Sequence, residues 1–273
     1  MRSRNKENIN KTLGGIPKII HQIWIGNSKP PKLNSLYMDT CRMDGWKYKL
    51  WSDEDITEKN FPLTFDLIQD IVEVGKLDKK LNKKLAQIAD LMRLEILYRN
   101  GGVYIDTTAE CLKNLDGILD RKNYKFVVSN EDPCGFECKN SYGKYYISNS
   151  FIASTKGNQV LKNLLNENKL KNIDIFSYNI NHETGPFFLG RYLRRLRKKH
   201  NIIMLPSDLI YPTRYRTRYD IERPDLCYKY SRDRNTNLEL RNKNNESIFL
   251  EYPCKSYPDS YIIKHFEAGG TWL

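Results

Sequence analysis

Apolar residues at helical spacing dominate the middle of the chain and then give way to a short strand. Between positions 81 and 97 they recur every three or four residues, which predicts a helix with one buried face. Gly101 and Gly102 predict its end, because glycine adopts the left-handed conformation that follows a helix without a Cβ penalty. The run 103–105 is β-branched and aromatic, which is typical of a buried strand. The pattern therefore predicts helix, sharp stop and strand in immediate succession.

The same patterns predict the elements on either side. Apolar runs predict strands at residues 16–26, 46–51, 124–129, 145–154, 202–205 and 261–266. Amphipathic spacing predicts helices at residues 36–42, 65–74, 159–167 and 191–199, the last of them strongly basic. Residues 182–190 are predicted to form a loop entering that basic helix. Because the first strand is almost continuously apolar, we expect a parallel strand buried on both faces and an α/β fold.

Composition narrows the class of protein. The chain has 273 residues, 40% of them hydrophobic and 12% aromatic. This is enough for one large α/β domain with a full core, or for a domain plus a small accessory lobe. No run approaches the roughly 18 apolar residues of a membrane helix. Residues 1–15 are polar and basic without an apolar segment, so they are expected to form a flexible leader and not a secretory signal.

The net charge of +12 favours an anionic ligand without identifying it. Nucleic acid is one such ligand, and a nucleoside diphosphate is another. The basic residues are spread along the chain, and no nucleic-acid-binding motif accompanies them. The chain also lacks the GxGxxG and GxxxxGK[ST] phosphate-binding patterns, which excludes a dinucleotide-binding Rossmann enzyme and a P-loop NTPase.

The six cysteines do not form a zinc-binding pattern. Only Cys134 and Cys138 are close in sequence, with no second pair and no histidine nearby. With no signal peptide or membrane anchor in the sequence, we expect free thiols in a reducing compartment and a cytoplasmic protein.

Charged residues in the central stretch are candidates for chemistry. Asp90 and Arg93 lie three residues apart on a helix face that is otherwise largely apolar. Two interpretations stay open for them, an ion pair that ties helix to sheet and a ligand-binding pair. Asp106 follows the strand 103–105 at its carboxyl end, where open α/β sheets bind ligands. Trp24 ends the first strand and is either a core residue or a stacking wall for a nucleobase, whereas His21 is interpreted as a core histidine.

Several separated motifs together resemble the family-32 glycosyltransferases. They are IPKIIHQIWIG, ADLMRLEILYRNGGVYIDTT, NSFIASTKGNQVLKNLL, TGPFFL and a terminal His…Gly-Thr-Trp. These enzymes are retaining sugar transferases of the GT-A fold, in some classifications grouped with the glucosylating domains of large clostridial toxins. The resemblance implies a mixed, mostly parallel sheet flanked by helices, with a small acceptor-side lobe. It also implies one domain over residues 16–273, with a nucleotide-binding half at 16–130 and an acceptor-binding half at 131–273.

The resemblance assigns roles to individual residues. It implies a nucleobase pocket in which Trp24 stacks on the base and three residues line the walls, Ile23, Leu85 and Ala89. It implies a catalytic set that contacts the donor sugar and ribose, formed by Asp90, Arg93, Asp106 and Asn149. Further donor-binding residues would be Tyr104, Thr107 and Trp272.

One position departs from the family pattern. The expected Asp-x-Asp is Asp106-Thr107-Thr108 here, and a Thr hydroxyl is a weaker ligand for a hard cation than a carboxylate. The resemblance implies Mn²⁺ or Mg²⁺ held by Asp106, Thr108 and His265. Three alternatives stay open: Glu110 or Asp106 supplies the carboxylate with His265, the metal binds weakly and only with the diphosphate, or basic groups replace it. We favour weak, donor-assisted binding.

These observations predict a retaining hexosyltransferase that moves a sugar from a nucleotide donor to a glycan or other hydroxyl acceptor. A UDP-sugar is favoured over GDP-mannose, and the acceptor cleft is expected in the loops at 130–144 and 212–247. A cytoplasmic enzyme of surface, capsular or virion polysaccharide biosynthesis would fit. The alternatives are a catalytically weak nucleotide-binding relative, because of Thr108, and a polyanion- or nucleic-acid-binding protein, because of the charge.

Overall fold

The computed structural model describes residues 15–26, 28–77, 81–121, 123–130, 147–212, 240–241, 247–248 and 258–264. Within these ranges the strands are β1 (Ile19–Ile23), β2 (Lys47–Trp51), β3 (Gly102–Ile105), β4 (Ala109–Cys111), β5 (Phe126–Asn130), β6 (Ile147–Ser154), β7 (Ile202–Leu205), β8 (Leu240–Arg241), β9 (Ser247–Ile248) and β10 (Ile262–Lys264). The helices are α1 (Lys32–Thr40), α2 (Phe65–Leu77), α3 (Leu81–Asn100), α4 (Asp116–Leu119), α5 (Gln159–Leu164), α6 (Glu167–Leu170), α7 (Ile180–Glu183), α8 (Pro186–Leu196) and α9 (Ser207–Ile210), with a 3-10 turn at Asp53–Asp55.

A six-stranded mixed sheet organises the described part of the chain, in the order β2-β1-β3-β6-β5-β7. Strand β1 runs parallel to both β2 and β3, and β5 runs parallel to β7. Strand β6 is antiparallel to β3 and to β5 and joins the two parallel groups. The predicted α/β fold, with a mixed and mostly parallel sheet flanked by helices, is confirmed. The nearly continuous apolarity of β1 is explained by its position inside the sheet.

The sheet separates two apolar clusters, because successive side chains of a strand point to opposite faces. In β3, Tyr104 belongs to the cluster that contains the buried face of α3, with Ile88 and Met92. Val103 and Ile105 belong to the cluster on the other face. Helix α3 therefore packs on one face of the sheet and delivers the chain into β3.

The turn between α3 and β3 is set by two glycines. Gly101 and Gly102 have φ values of 67° and 101°, and a Cβ on Gly102 would lie 2.5 Å from the Ile19 carbonyl oxygen in β1. His21 donates through Nε2 to the Gly101 carbonyl at 2.9 Å, and its Nδ1 accepts from the Trp51 indole at 3.2 Å. Burial lowers the pKa of His21 to about 4. The interpretation of His21 as a core histidine is confirmed, since it is buried and both ring nitrogens have partners.

The backbone divides into two compact units, one of residues 1–214 and 260–273 and another of residues 215–259. The six-stranded sheet and an antiparallel pair of β4 with β10 belong to the first unit. In the second, the described residues include the antiparallel pair of β8 with β9. The predicted division at residue 130 stays a prediction. Among the described residues no helix is both long and apolar enough to cross a membrane.

Two expectations from the sequence are wrong. Cys41 and Cys111 form a disulfide, with Cα atoms 5.0 Å apart and a sequence separation of 70. Free thiols were expected because the sequence shows no signal peptide, which favoured a reducing compartment. The packing of α1 against β4 brings the two cysteines together. The expected loop at 182–190 contains part of α7 and the start of α8, because Pro186 occupies the first turn of α8, where its fixed φ suits a helix.

Candidate active site

Charged and polar side chains from several elements converge at the carboxyl end of β3. Helix α3 provides Asp90 and Arg93 on one face, and the chain leaving β3 provides Asp106. Strand β6 contributes Asn149, and it lies beside β3 in the sheet. The structure therefore brings together the catalytic set predicted from the sequence. Their roles toward a donor stay predictions.

The Asp90 carboxylate is buried and is surrounded by donors. One oxygen accepts from Asn149 Nδ2 at 2.8 Å and from Arg93 Nη2 at 3.0 Å. The other accepts from the Thr184 hydroxyl at 3.0 Å. Burial raises the pKa of Asp90 to about 6, and the charge of Arg93 opposes that rise. Its oxygens are held in fixed directions, as a residue that orients sugar hydroxyls requires.

Arg93 lies between two carboxylates. Besides Asp90, it pairs with Asp106 at 3.4 Å, and its Nη1 donates to the Asn149 carbonyl at 2.7 Å. Its guanidinium also lies 4.4 Å from the centre of the Tyr104 ring. Burial alone would lower the pKa of Arg93, but Tyr104, Asp90 and Asp106 together raise it. The guanidinium is therefore a permanent positive charge inside the site.

Asp106 connects this buried pair to the more accessible side of the site. Its Oδ1 accepts from the Tyr104 hydroxyl at 2.8 Å, and its Oδ2 accepts from Lys264 Nζ at 2.5 Å. Burial works against ionisation, but Lys264 and Arg93 outweigh it and lower the pKa of Asp106. Its side chain is 23% exposed, against 8% for Asp90 and 7% for Arg93. A ligand would therefore approach from the side of Asp106.

The predicted nucleobase pocket lies partly in the core. Ile23 and Ala89 are buried in the apolar cluster on which α3 packs, and Leu85 packs against it. Trp24 is 8% exposed, and its indole donates to the Ser28 carbonyl at 2.6 Å. A Cβ on Gly26 would lie 2.6 Å from Leu85, so the chain after β1 lies against α3. The stacking role of Trp24 stays a prediction.

The described residues do not fit a divalent cation. Thr107 and Thr108 are both buried, and the Thr108 hydroxyl oxygen has no hydrogen-bond partner among the described residues. The Asp106 carboxylate already faces an ammonium and a guanidinium. Within the described ranges no group of three His, Cys, Asp or Glu side chains could hold a metal ion. Within the described ranges, Glu110 in β4 therefore does not complete a metal site with Asp106. The predicted ligand His265 and the predicted donor-binding residue Trp272 lie outside the described residues.

Two residues of the site were missed by the sequence reasoning. Thr184 precedes Gly185 in the TGPFFL motif, so its motif was noticed without a role for its hydroxyl. Lys264 lies in the sequence YIIKHF, whose apolar pattern predicted a strand but gave no reason to assign a role to the lysine. Asp90 and Thr184 are 94 residues apart, and Asp106 and Lys264 are 158 apart, so no local pattern could pair them.

Comparison with known proteins identifies the segment that carries Asp90, Arg93 and Asp106. Residues 31–125 match the family described as "Glycosyltransferase sugar-binding region containing DXD motif". That segment contains α3, β3 and the positions 106–108, so the resemblance found in the sequence is confirmed there.

Curated relatives and a solved structure are similar to other lengths of the chain. The chain is 27% identical over 194 residues to inositol phosphoceramide mannosyltransferase 3 of Schizosaccharomyces pombe, covering 68% of this chain and 47% of that protein. It is 36% identical over 107 residues to uncharacterized glycosyltransferase L373 of Acanthamoeba polyphaga mimivirus, covering 38% of this chain and 40% of that protein. The chain spans about half the length of the curated relatives it matches. Among solved structures, PaToxG glycosyltransferase has 23% identity and a TM-score of 0.47, covering 66% of this chain and 68% of that one.

Proposed function

We propose that this chain transfers a sugar from a nucleotide donor to a hydroxyl acceptor. The proposal starts from the match of residues 31–125 to the family of glycosyltransferase sugar-binding regions containing a DXD motif. The observation that supports this most strongly is the Asp90–Arg93–Asp106 cluster with Asn149, because it lies at the carboxyl end of β3. Such a fixed set of donors and acceptors can orient the hydroxyls of a sugar and its ribose.

In this sugar transfer, the protein has to position the donor and acceptor and to stabilise the charge that develops on the leaving diphosphate. The bond between the anomeric carbon and the β-phosphate oxygen breaks, and its electron pair stays on the diphosphate. The acceptor oxygen forms the new bond on the same face of the sugar, and its proton goes to the departing phosphate oxygen. The transition state resembles an oxocarbenium ion, as in glycoside hydrolysis. This retaining course needs no protein general base, and we assign none.

In this proposal Asp90 and Arg93 hold the donor sugar, and Asp106 holds the ribose. Asn149 fixes the orientation of the Asp90 and Arg93 side chains, because its side chain donates to Asp90 and its carbonyl accepts from Arg93. The fixed positive charges near Asp106 stabilise the diphosphate as it gains charge. Because the described residues do not fit a divalent cation, no step is assigned to one.

The transferred sugar is proposed to be a hexose. The sequence favoured a UDP-sugar, whereas the S. pombe relatives are named mannosyltransferases, which supports mannose. Both UDP-hexoses and GDP-mannose therefore belong in the test. The acceptor is proposed to be a glycan or glycoconjugate.

The test is a donor panel with matched variants. Native protein and Asp90→Asn are incubated with UDP-glucose, UDP-galactose, UDP-N-acetylglucosamine and GDP-mannose, and release of nucleoside diphosphate is measured. We expect release from one donor in the native protein and a loss of at least 100-fold in the variant. Nucleotide binding without release from any donor would support the weak relative instead. Salt-sensitive binding of any polyanion, with no preference for nucleotides, would support the polyanion-binding alternative.

A further inference from the structure

An ammonium group lies beside Asp106, the first acid of the motif in which the family pattern has a second acid and a metal. Lys264 Nζ lies 2.5 Å from Asp106 Oδ2, and the Lys264 side chain is 13% exposed. The lysine is held there by the sheet, since β10 pairs with β4 and places Lys264 opposite Ala109. Ala109 directly follows Thr108, the position at which the second carboxylate is missing.

The charges balance in the same way as in a metal site. Two carboxylates of an Asp-x-Asp motif neutralise one divalent cation. Here Asp106 faces Lys264, and the charge of Arg93, which also pairs with Asp106, is balanced by Asp90. The neutral Thr108 stands in place of the second acid. Two carboxylates and a divalent cation sum to zero charge. One carboxylate and one ammonium also sum to zero, so the net charge is the same. Thr108 and Lys264 therefore form a compensating pair.

A divalent cation and this ammonium would compete for one oxygen. A metal bound to Asp106 Oδ2 would lie within a few ångströms of Nζ, and like charges at that distance repel strongly where water is largely excluded. The Thr108 hydroxyl would give the metal only a neutral ligand, and its oxygen is fully buried. The geometry therefore favours the lysine over the metal at this carboxylate.

We propose that Lys264 replaces the divalent cation at the donor diphosphate, so that nucleotide binding and sugar transfer by this chain need no metal. When the bond to the anomeric carbon breaks, the electron pair goes to the phosphate oxygen, and the ammonium stabilises the added charge. An ammonium is a compact point charge suited to phosphate, and the Asp106 carboxylate keeps it in place. The inference rests on the proposed function, because it assumes a diphosphate donor.

The first test measures binding of UDP and GDP by calorimetry in EDTA and in Mn²⁺. We expect the native protein to bind one of them with affinities that agree within about two-fold in the two conditions. Lys264→Met should weaken that binding at least ten-fold in EDTA, and Lys264→Arg should retain it because the positive charge is kept. Lys171→Met is the matched control, since Lys171 is exposed and forms a surface ion pair with Glu167. Thermal unfolding of each variant separates lost binding from lost folding.

The second test converts the proposed lysine site into a metal site. The double variant Thr108→Asp with Lys264→Met restores two carboxylates and removes the ammonium. We expect it to bind Mn²⁺ alone, measured by the loss of the free-ion electron paramagnetic resonance signal, and to bind nucleotide at least ten-fold more tightly with Mn²⁺ than in EDTA. The native protein should leave the Mn²⁺ signal unchanged.

The outcomes distinguish the inference from the proposed function. Nucleotide binding by the native protein that requires Mn²⁺, or a folded Lys264→Met variant with unchanged affinity in EDTA, would overturn the inference and leave the glycosyltransferase proposal standing. Absence of binding of either nucleotide in both conditions would overturn both.

Discussion

Asp90 shows how burial and partners together decide the behaviour of one side chain. The carboxylate accepts hydrogen bonds from Asn149, Arg93 and Thr184. These donors stabilise the charged form, but burial raises the pKa to about 6. The helical spacing predicted the pair with Arg93, and the structure adds the partners that fix its geometry.

The raised pKa of Asp90 predicts a pH-dependent stability. A carboxyl whose pKa is higher in the folded state holds its proton more tightly there. Its favourable contribution is therefore complete below the unfolded value of about 3.8 and is lost as the pH rises through about 6. We expect the free energy of unfolding of the native protein, relative to Asp90→Asn, to fall by about 1 to 3 kcal/mol between pH 4 and pH 7.5.

Urea unfolding of both proteins at several pH values measures this difference. Groups that titrate equally in the two proteins cancel, and the lowered pKa of Asp106 keeps that carboxyl ionised through most of the range. A constant difference between pH 4 and pH 7.5 would contradict the assigned shift.

Thr184 is predicted to position Asp90 through one hydrogen bond. Thr184→Val keeps the shape but leaves an oxygen of Asp90 without this donor, which costs about 1.5 to 3 kcal/mol for a bond to a charged group. We expect kcat/KM for the donor to fall about 10- to 150-fold, and the pH dependence of activity to shift upward as the pKa of Asp90 rises. Thr184→Ser keeps the hydroxyl and should restore most of both, so equal losses in the two variants would assign the effect to packing.

At the scale of elements, the α3–β3 turn positions the site. Helix α3 carries Asp90 and Arg93, and β3 ends at Asp106, so the angle between the two elements sets the distance between the acids. Gly102 allows β3 to approach β1, because its hydrogen faces the Ile19 carbonyl. A side chain at this position would push the two strands apart.

Gly102→Ala should therefore be far more costly than an ordinary glycine substitution. The new Cβ would meet backbone at 2.5 Å, and φ is already 101°. We expect a destabilisation of about 3 kcal/mol or more in urea unfolding, with loss of donor binding. Gly45→Ala is the matched control, because φ is 77° there but a Cβ would meet nothing within 4 Å. It should cost only about 1 kcal/mol, and similar costs for the two variants would show that φ alone decides.

At the scale of the whole molecule, a disulfide links elements that are far apart in sequence. Cys41 follows α1 and Cys111 ends β4, so the bond closes a loop that contains β2, α2, α3 and β3. Such bonds are typical of oxidising compartments. The cytoplasmic location favoured from the sequence stays a prediction, and the thiol state of this pair in the native host bears on it.

Removing this bond is predicted to destabilise the fold and not the chemistry. The Cys41→Ser, Cys111→Ser double variant should lose about 2 to 4 kcal/mol of stability, since a loop of 70 residues is released in the unfolded state. Mass spectrometry after alkylation without reductant should leave Cys41 and Cys111 unmodified in the native protein. Labelling of both, or a double variant as stable as the native protein, would contradict the bond.

The sequence by itself determined much of the local structure. The helix 81–97, its stop at Gly101 and Gly102 and the strand after it follow from the apolar period and from glycine's conformational freedom, which depend on neighbours in the chain. The same local pattern placed Asp90 and Arg93 on one face and Asp106 at a strand end. Position 186 shows where local reasoning failed, because a Gly-Pro pair fits a loop and equally the first turn of a helix.

Only the tertiary structure decided which distant groups meet. Asp106 and Lys264 are 158 residues apart, and the pairing of β4 with β10 brings them together. Thr184 reaches Asp90 across 94 residues, and Cys41 reaches Cys111 across 70. These contacts depend on strand order and helix packing, which arise from burial summed over the whole core and leave no periodic signal in the chain. The sequence therefore indicated a sugar-transfer site with a missing carboxylate, and the fold supplied the cation that stands beside it.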